Sequence, residues 1–371
     1  ILNHAWQTDF KTWDDVTPSV LSDAVESGQI VRWIDHRRHM DKVYTDYLRF
    51  KVEAVRRFDP AAEGCGDNFR VASNMLDSYS GVDYWRLFSE VVAGAGLPEK
   101  YLLSFTPPER QHLIMARGAY WYSDIFTDDS ELLQQRFGNQ PWRNLFAGMH
   151  GYAYFPSHFF LYPSSTYPPV LNADLSEGYV GKIAADAVSQ IRSGIDRLIF
   201  ESKCDNSGIA ILFSRSSEHA ASAWQFLHKG KSAARLSPPS LIGVYSDMLN
   251  YLGYGYSFLS EAQIADHALQ KGGFRLLIMP FSQALNPDVQ KPIMEFLSQG
   301  GTVMADIRPG IADQHGQIGT KGFLDELFGV CHQTEYQAYA PTLDTVRIGE
   351  DFLGNKLPSA DYGVIMGPYV K

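Results

Sequence analysis

Four short apolar runs in the second half of the chain, each set between helical patterns, limit the possible folds more than any other feature. They are Gly208-Ile209-Ala210-Ile211-Leu212-Phe213-Ser214, Tyr256-Ser257-Phe258-Leu259, Phe274-Arg275-Leu276-Leu277-Ile278-Met279-Pro280 and Gly300-Gly301-Thr302-Val303-Met304-Ala305-Asp306. Uninterrupted apolar runs bounded by turn residues suit strands buried on both faces, the kind found in parallel sheets covered by helices. The intervening segments read as those helices. Ser216 or Ser217 can cap one that carries Trp224 and Leu227 on a single face. Pro238-Pro239-Ser240 opens another, over 241–252. Ser260 to Ile264 reads as a helix onset, Asn286-Pro287 starts a helix through Leu297, and Phe323 to Phe328 is a short one. The expected domain is open, doubly wound α/β, of flavodoxin-like type.

That domain offers little chemistry. A hydrolase of similar shape needs a Cys or Ser on a tight elbow next to glycines. After the third run stands Pro280-Phe281-Ser282-Gln283-Ala284-Leu285, with neither Cys nor elbow glycine. Gly300-Gly301 precedes a strand, so it is a turn and not a phosphate cradle. A structural or assembly role is expected. Ser282 is the residue an amidotransferase-like activity would have to use.

The first half alternates less cleanly. An aromatic, acidic loop over 2–16 has no period. A long helix follows from about Ile30 to Phe58, with Val31, Ile34, Met40, Val43, Tyr44, Tyr47, Leu48 and Val55 at three- and four-residue steps. Its basic cluster Arg37-Arg38-His39 reads as a solvated face. Ala62 to Asn68 is a strand candidate, Val82-Asp83-Tyr84-Trp85 a second strand end, and Leu87 to Ala95 a helix. Lys100 to Phe105 is apolar enough for a strand, and Gly118 to Phe126 is a stronger one that runs into Asp128-Asp129-Ser130-Glu131. Ser130 or Asp129 can cap the helix that follows. In Gln140 to Phe155, Pro141 suits a first helical turn, Gly148 or Gly151 a left-handed stop, and Tyr152-Ala153-Tyr154-Phe155 a short strand before Pro156. A helix over 178–192 closes this half. Strand and helix at this spacing suggest about four strands of a (β/α)8 barrel, whose chemistry lies at the strands' C-terminal ends.

Composition narrows the function. The chain has 371 residues, 45% hydrophobic and 20% charged, which suits globular folding. A net charge of −10 argues against binding nucleic acid. No apolar run reaches the roughly 18–20 residues of a membrane helix. The three cysteines, Cys65, Cys204 and Cys331, lack metal or disulfide spacing, and no cofactor or metal is expected. Aromatics make up 13% and concentrate early in the chain, which fits stacking surfaces for sugar rings. The first residue is Ile1 rather than Met, within what reads as the middle of a domain, so a fragment of a longer polypeptide is expected and localisation is left open.

In their order, several segments resemble the family 42 glycoside hydrolases, β-galactosidases with a (β/α)8 barrel followed by a trimerisation domain of amidotransferase-like fold. The second half carries most of the likeness: Leu276-Leu277-Ile278-Met279-Pro280, Phe296-Leu297-Ser298-Gln299-Gly300-Gly301-Thr302-Val303, Arg308-Pro309-Gly310, and Leu324-Asp325-Glu326-Leu327-Phe328-Gly329-Val330. In the first half, Leu2-Asn3-His4-Ala5-Trp6-Gln7-Thr8-Asp9-Phe10 looks like the segment after the family's fourth barrel strand. Pro141-Trp142-Arg143 to Tyr154-Phe155 looks like the last barrel helix and strand. The resemblance implies three parts: the C-terminal portion of a TIM barrel over 1–203, a trimerisation-type domain over 204–335, and the start of a β-rich segment over 336–371.

It also implies an activity. Family members hydrolyse glycosides with an acid/base on the fourth barrel strand and a nucleophile on the seventh, held roughly 5–5.5 Å apart in a retaining mechanism. The acid/base would lie upstream of Ile1, so the missing half of the barrel becomes an expected partner. No Glu stands where the nucleophile is expected. Asp124 is the nearest carboxylate, and Glu131, though more simply a first-turn helix residue, is the next. Trp6, Trp13, Trp121 and Trp142 would wall the sugar pocket with Arg143 at its frame, and Asn68 or Asp83 would bind hydroxyls; for each, plain packing is an equal alternative. The family's zinc-binding Cys cluster is not represented. A homotrimer and a carbohydrate substrate are implied, with the alternative that the fold persists as a non-catalytic carbohydrate-binding or assembly protein.

Overall fold

The computed structural model describes residues 2–62, 65–67, 90–92, 99–105, 114–116, 131, 134–153, 171–172, 174–202, 207–227, 238–306, 308–330, 342–347 and 361–366. The chain opens with α1 (Leu2–Trp6), where a loop is expected from the sequence. Asn3 explains the local order. Its side-chain carbonyl accepts the Phe10 N–H and the Thr8 hydroxyl, and its amide donates to the Phe10 carbonyl. After α2 (Leu21–Ser27), Gly28 turns the chain at φ +71 into α3 (Ile30–Arg56), the long helix anticipated from its period.

Strands β1 (Cys65–Asp67) and β2 (Glu90–Val92) pair in parallel. The second corrects the sequence reading, because Glu90–Val92 falls inside the segment assigned to a helix over 87–95. The reverse correction follows at α4 (Glu99–Phe105), which is helical where a strand was a candidate. Tyr101 and Phe105, four residues apart, turn to one side and pack edge-on to each other, with ring centroids 4.9 Å apart. Tyr101 also meets Phe213 at 4.8 Å and Phe258 at 5.5 Å. A strand would send both rings to one sheet face, but nothing there would let them close on two other strands at once.

β3 (Ile114–Ala116) joins β2 and then pairs with β4 (Gly151–Ala153), reached through α5 (Asn139–Phe146). Gly148, at φ +95, makes the left-handed turn between them. The result is a parallel sheet in chain order, β1-β2-β3-β4. α6 (Tyr179–Gln190) then runs through a π turn over 191–195, bent at Gly194 with φ 126, into α7 (Asp196–Glu201).

The second sheet uses β5 (Ile209–Phe213), followed by α8 (Arg215–Leu227) and α9 (Pro238–Tyr251). Then come β6 (Tyr256–Ser260), α10 (Glu261–Ala265), α11 (Ala268–Lys271) and β7 (Leu276–Met279). A short β8 (Ala284–Leu285), α12 (Gln290–Ser298), β9 (Thr302–Ala305), β10 (Ala312–Asp313) and α13 (Asp325–Phe328) complete it. The strand order is β6-β5-β7-β9, all parallel. β5 alternates its side chains between two cores. Ile209, Ile211 and Phe213 pack with Ile242, Leu249, Tyr101 and Phe105, while Ala210 and Leu212 pack with Ile264, Leu269, Ile293 and Phe296. All five β5 residues are buried, which is why the run reads as continuously apolar. β11 (Thr342–Arg347) and β12 (Asp361–Met366) form an antiparallel pair.

α3, like α4, links the two halves. From α3, Ile30, Trp33 and Ile34 enter a core with Ala220, Ala223, Trp224, Ile311 and Ala312, and further along Leu48 and Val52 pack on the core that contains Phe213.

Candidate functional site

Of the residues singled out from the sequence, Asp124, Asn68, Asp83 and Trp121 lie outside the described residues. Glu131 is helical and exposed, as expected of a first-turn carboxylate. The remaining aromatics each have their own surroundings. Trp6 is half-buried, donates its indole N–H to Asp35 Oδ2 at 2.8 Å, and has the Arg32 guanidinium over its ring at 5.6 Å. Trp13 is 81% exposed. Trp142 stacks on Phe146 of its own helix, centroids 6.2 Å apart and planes 24° apart, with Arg143 exposed beside it. Trp6 therefore ties α1 to α3, and its availability to a sugar ring is correspondingly reduced.

Ser282 is fully buried, and its hydroxyl donates to the Pro280 carbonyl at 3.2 Å. The strained backbone lies one residue earlier, at Phe281, with φ +46. The Phe281 N–H is held at 2.7 Å by Asp306 Oδ1, from the residue that follows β9. Asp306 also acts on Tyr245: burial first, then this carboxylate, push the phenol up to about 12. The positive φ at this strand end falls on a phenylalanine and Ser282 is buried, which argues against nucleophilic chemistry here.

Three polar clusters were not anticipated. The first sits at the C-terminal ends of β5 and β7, where the strand order reverses and α/β sheets usually place ligands. Here the protein's own groups occupy that position. Ser214 Oγ accepts the Ser217 N–H at 3.0 Å and so caps α8; the sequence had pointed to Ser216 or Ser217. Glu261 receives the Ser214 hydroxyl (2.9 Å), the Ser216 N–H (3.2 Å) and hydroxyl (3.1 Å), and the Asn286 N–H (2.6 Å). Burial pushes this carboxyl up, and the donors oppose that shift. With its lone pairs so committed, Glu261 is a structural anchor rather than a base.

The second cluster joins α3 to α8. Arg215 Nη2 lies 3.0 and 2.9 Å from the two Asp41 oxygens, and its Nη1 lies 2.5 Å from Glu218 Oε2. His219 Nε2 is 2.8 Å from Asp41 Oδ2. Burial alone would raise the Asp41 carboxyl, but Arg215 and His219 override it and hold it below the usual range. Burial pushes Glu218 up and lowers His219. Burial thus favours the neutral imidazole, whose Nε2–H would donate to Asp41. His219 is 1% exposed, so the Asp–His couple, although shaped for acid–base work, meets no substrate.

The third cluster is more open. His315 Nδ1 lies 2.5 Å from Asp35 Oδ1, while Asp35 Oδ2 takes the Trp6 indole. Arg38, on the same helix, places Nη1 3.5 Å from His315 Nδ1 and 3.9 Å from Asp35. The hydrogen bond to Asp35 holds the His315 imidazole above its ordinary value. Arg37, read from sequence as solvated, is in fact buried, 6.0 Å from the Trp33 ring; Arg38 and His39 are exposed as expected. Among the described residues, no group of three or more metal-type ligands clusters, and no helix is long and apolar enough to cross a membrane.

No family model and no curated protein matches the sequence. Solved structures do. A β-galactosidase from Bacillus circulans sp. alkalophilus superimposes with a TM-score of 0.68 at 14% identity, over 94% of this chain and 51% of that one. The cold-adapted β-galactosidase from Rahnella sp. R3 gives 0.71 at 14% identity, over 96% and 54%. An exo-carrageenase of family GH42 from Bacteroides ovatus gives 0.57 at 14%, over 86% and 44%. The chain has the fold of part of a GH42 β-galactosidase, and it spans about half the length of the structures it matches.

Proposed function

We propose that this chain belongs to a glycoside hydrolase of β-galactosidase type and supplies the later strands of its (β/α)8 barrel together with a doubly wound, trimerisation-type domain. One observation carries the reading: β1 to β4 run parallel in chain order, as barrel strands do, within a likeness that extends over 94% of the chain. In this reading the boundaries fall near 203 and 335. The acid/base comes from residues that precede Ile1 in a longer polypeptide, and the protein assembles as a homotrimer. Asp124 serves as nucleophile, with Glu131 as the fallback, and Asn68, Asp83 and Trp121 contact the sugar. Trp13 and Trp142 have weaker claims, and Trp6 the weakest.

The test uses the natural full-length protein on aryl β-galactosides, with carrageenan oligosaccharides as a second substrate set because one structural neighbour is an exo-carrageenase. Asp124→Asn is expected to lower turnover by at least ~100-fold, and undiminished turnover would sink the assignment. Sugar binding without turnover in the parent protein would favour the non-catalytic alternative. Light scattering of the same sample checks the trimer, and a monomeric mass would contradict it.

A further inference from the structure

The His315 site contains a conflict that a single proton resolves. His315 Nδ1 has two neighbours, Asp35 Oδ1 at 2.5 Å and Arg38 Nη1 at 3.5 Å. Asp35 offers only lone pairs and Arg38 only N–H groups. If Nδ1 carries a proton, it donates to Asp35 and has nothing to offer Arg38. If Nδ1 is bare, it can accept from Arg38, and two acceptors then face each other across 2.5 Å. The two arrangements exclude each other.

Three further features turn this choice into movement of a segment. The loop over 312–318 is folded on Asp313, whose Oδ1 accepts the N–H groups of His315 and Gln317 at 2.9 Å each. The turn at Gly316 is seated against Ile34: a Cβ there would lie 2.3 Å from Ile34 Cδ1. Asp35, meanwhile, also holds the Trp6 indole, so any change in its partner reaches α1. The charged groups facing His315 are Asp35 and Arg38 from α3 and Asp313 from its own loop; α1 contributes the uncharged Trp6.

We propose that Asp35, Arg38 and His315 form a proton-operated latch that fastens loop 312–318 to α1 and α3. When His315 is protonated, Asp35 bridges the imidazolium and the Trp6 indole, and Arg38 is repelled toward solvent. When His315 is neutral, an Nδ1–H bond to Asp35 loses its charge assistance, so Arg38 competes for the carboxylate, the loop loosens, and the Trp6 hydrogen bond weakens. The side chains of His315 and Arg38 are 34% and 40% exposed, so the proton exchanges with solvent without unfolding.

NMR on the intact chain tests this. The His315 ring signal is assigned with His315→Asn and the Trp6 indole N–H with Trp6→Phe, and both are followed from acid to alkaline pH. Two results are expected: a His315 midpoint above the ordinary value of roughly 6.5, and a Trp6 indole shift with the same midpoint. Asp35→Asn should bring the His315 midpoint down. Arg38→Met, at an exposed position that should not impair folding, should move both midpoints up together. A Trp6 signal that stays flat through the His315 titration, or an Arg38→Met protein in which neither midpoint moves, overturns the proposal.

Discussion

α3 crosses to the second sheet's layer at two charged points, and the two are built in opposite ways. At Asp41, the side chains of Asp41, Arg215 and His219 are 13%, 14% and 1% exposed, and each polar contact is enclosed by packed helices. At Asp35, the partners open to water. In the enclosed cluster a carboxylate and a guanidinium hold each other ionised while burial disfavours the histidine cation. In the open cluster the histidine is favoured as a cation. The same pair of residue types, Asp and His, thus gives a fixed joint in one place and a titratable one in the other, and solvent access makes the difference.

The largest expected effect tests the fixed joint. Asp41→Ala leaves Arg215 a buried cation with its main partner gone, at a cost of ~3–5 kcal/mol. Asp35→Ala should cost about 1 kcal/mol or less, because water replaces what is lost. Urea denaturation of both variants decides the matter, and equal costs would erase the distinction.

A middle-sized effect belongs to the loop between the two. Gly316→Ala must adopt φ +74 and displace Ile34 Cδ1, for an expected ~1–3 kcal/mol. Adding Ile34→Val should recover the clash but not the backbone strain, so partial rescue in melting experiments is the expected pattern.

The smallest effect is the most discriminating, because the two histidines should pull stability in opposite directions. His219 is lowered in the folded protein, so below an unfolded value of roughly 6.5 the unfolded chain binds more protons and stability drops as pH falls. His315 is raised, so its contribution is complete below that value and disappears as pH climbs through the folded pKa. Urea midpoints measured across this range should lose their acid-side fall in His219→Gln and their alkaline-side fall in His315→Gln. Identical profiles for the two variants would break the comparison.

These clusters also show where sequence reasoning stops. The strands β5, β6 and β7 were legible because they are almost wholly buried and therefore largely apolar, while β9, an edge strand with Thr302 and Met304 exposed, was legible from its short apolar run behind the Gly300-Gly301 turn. In the other sheet, β1 lies within the strand expected over 62–68 and β4 overlaps the one expected over 152–155, but β2 and β3 were not seen: Glu90–Val92 is too short to show a period, and its neighbours carry a helical pattern. α4 was missed because the value of its Tyr101 and Phe105 lies in contacts with Phe213 and Phe258, far along the chain. The charged clusters are subject to the same limit. Asp41 and Arg215 are 174 residues apart, and Asp35 and His315 are 280 apart. A signal was nevertheless present. Arg215-Ser216-Ser217-Glu218-His219 follows directly on a fully apolar strand, so its first turn begins at a buried strand end, where charges need partners. The residues proposed for catalysis were chosen by family likeness, and the described geometry neither gathers nor separates them.

α3 itself has a property that its separate contacts do not show. It is 27 residues long, about 40 Å at 1.5 Å per residue, and Ile34, Asp41 and Leu48 recur at seven-residue steps. They therefore form one seam, with an apolar contact, a buried charge and another apolar contact in line. Helical phase governs such a seam. One residue inserted between Asp35 and Asp41 would turn everything beyond it by about 100° and point the charge away from Arg215. Seven inserted residues would shift the phase by only ~20° but would lengthen the seam past its partners. The spacing along this helix is thus as restrictive as the identity of the residues on it.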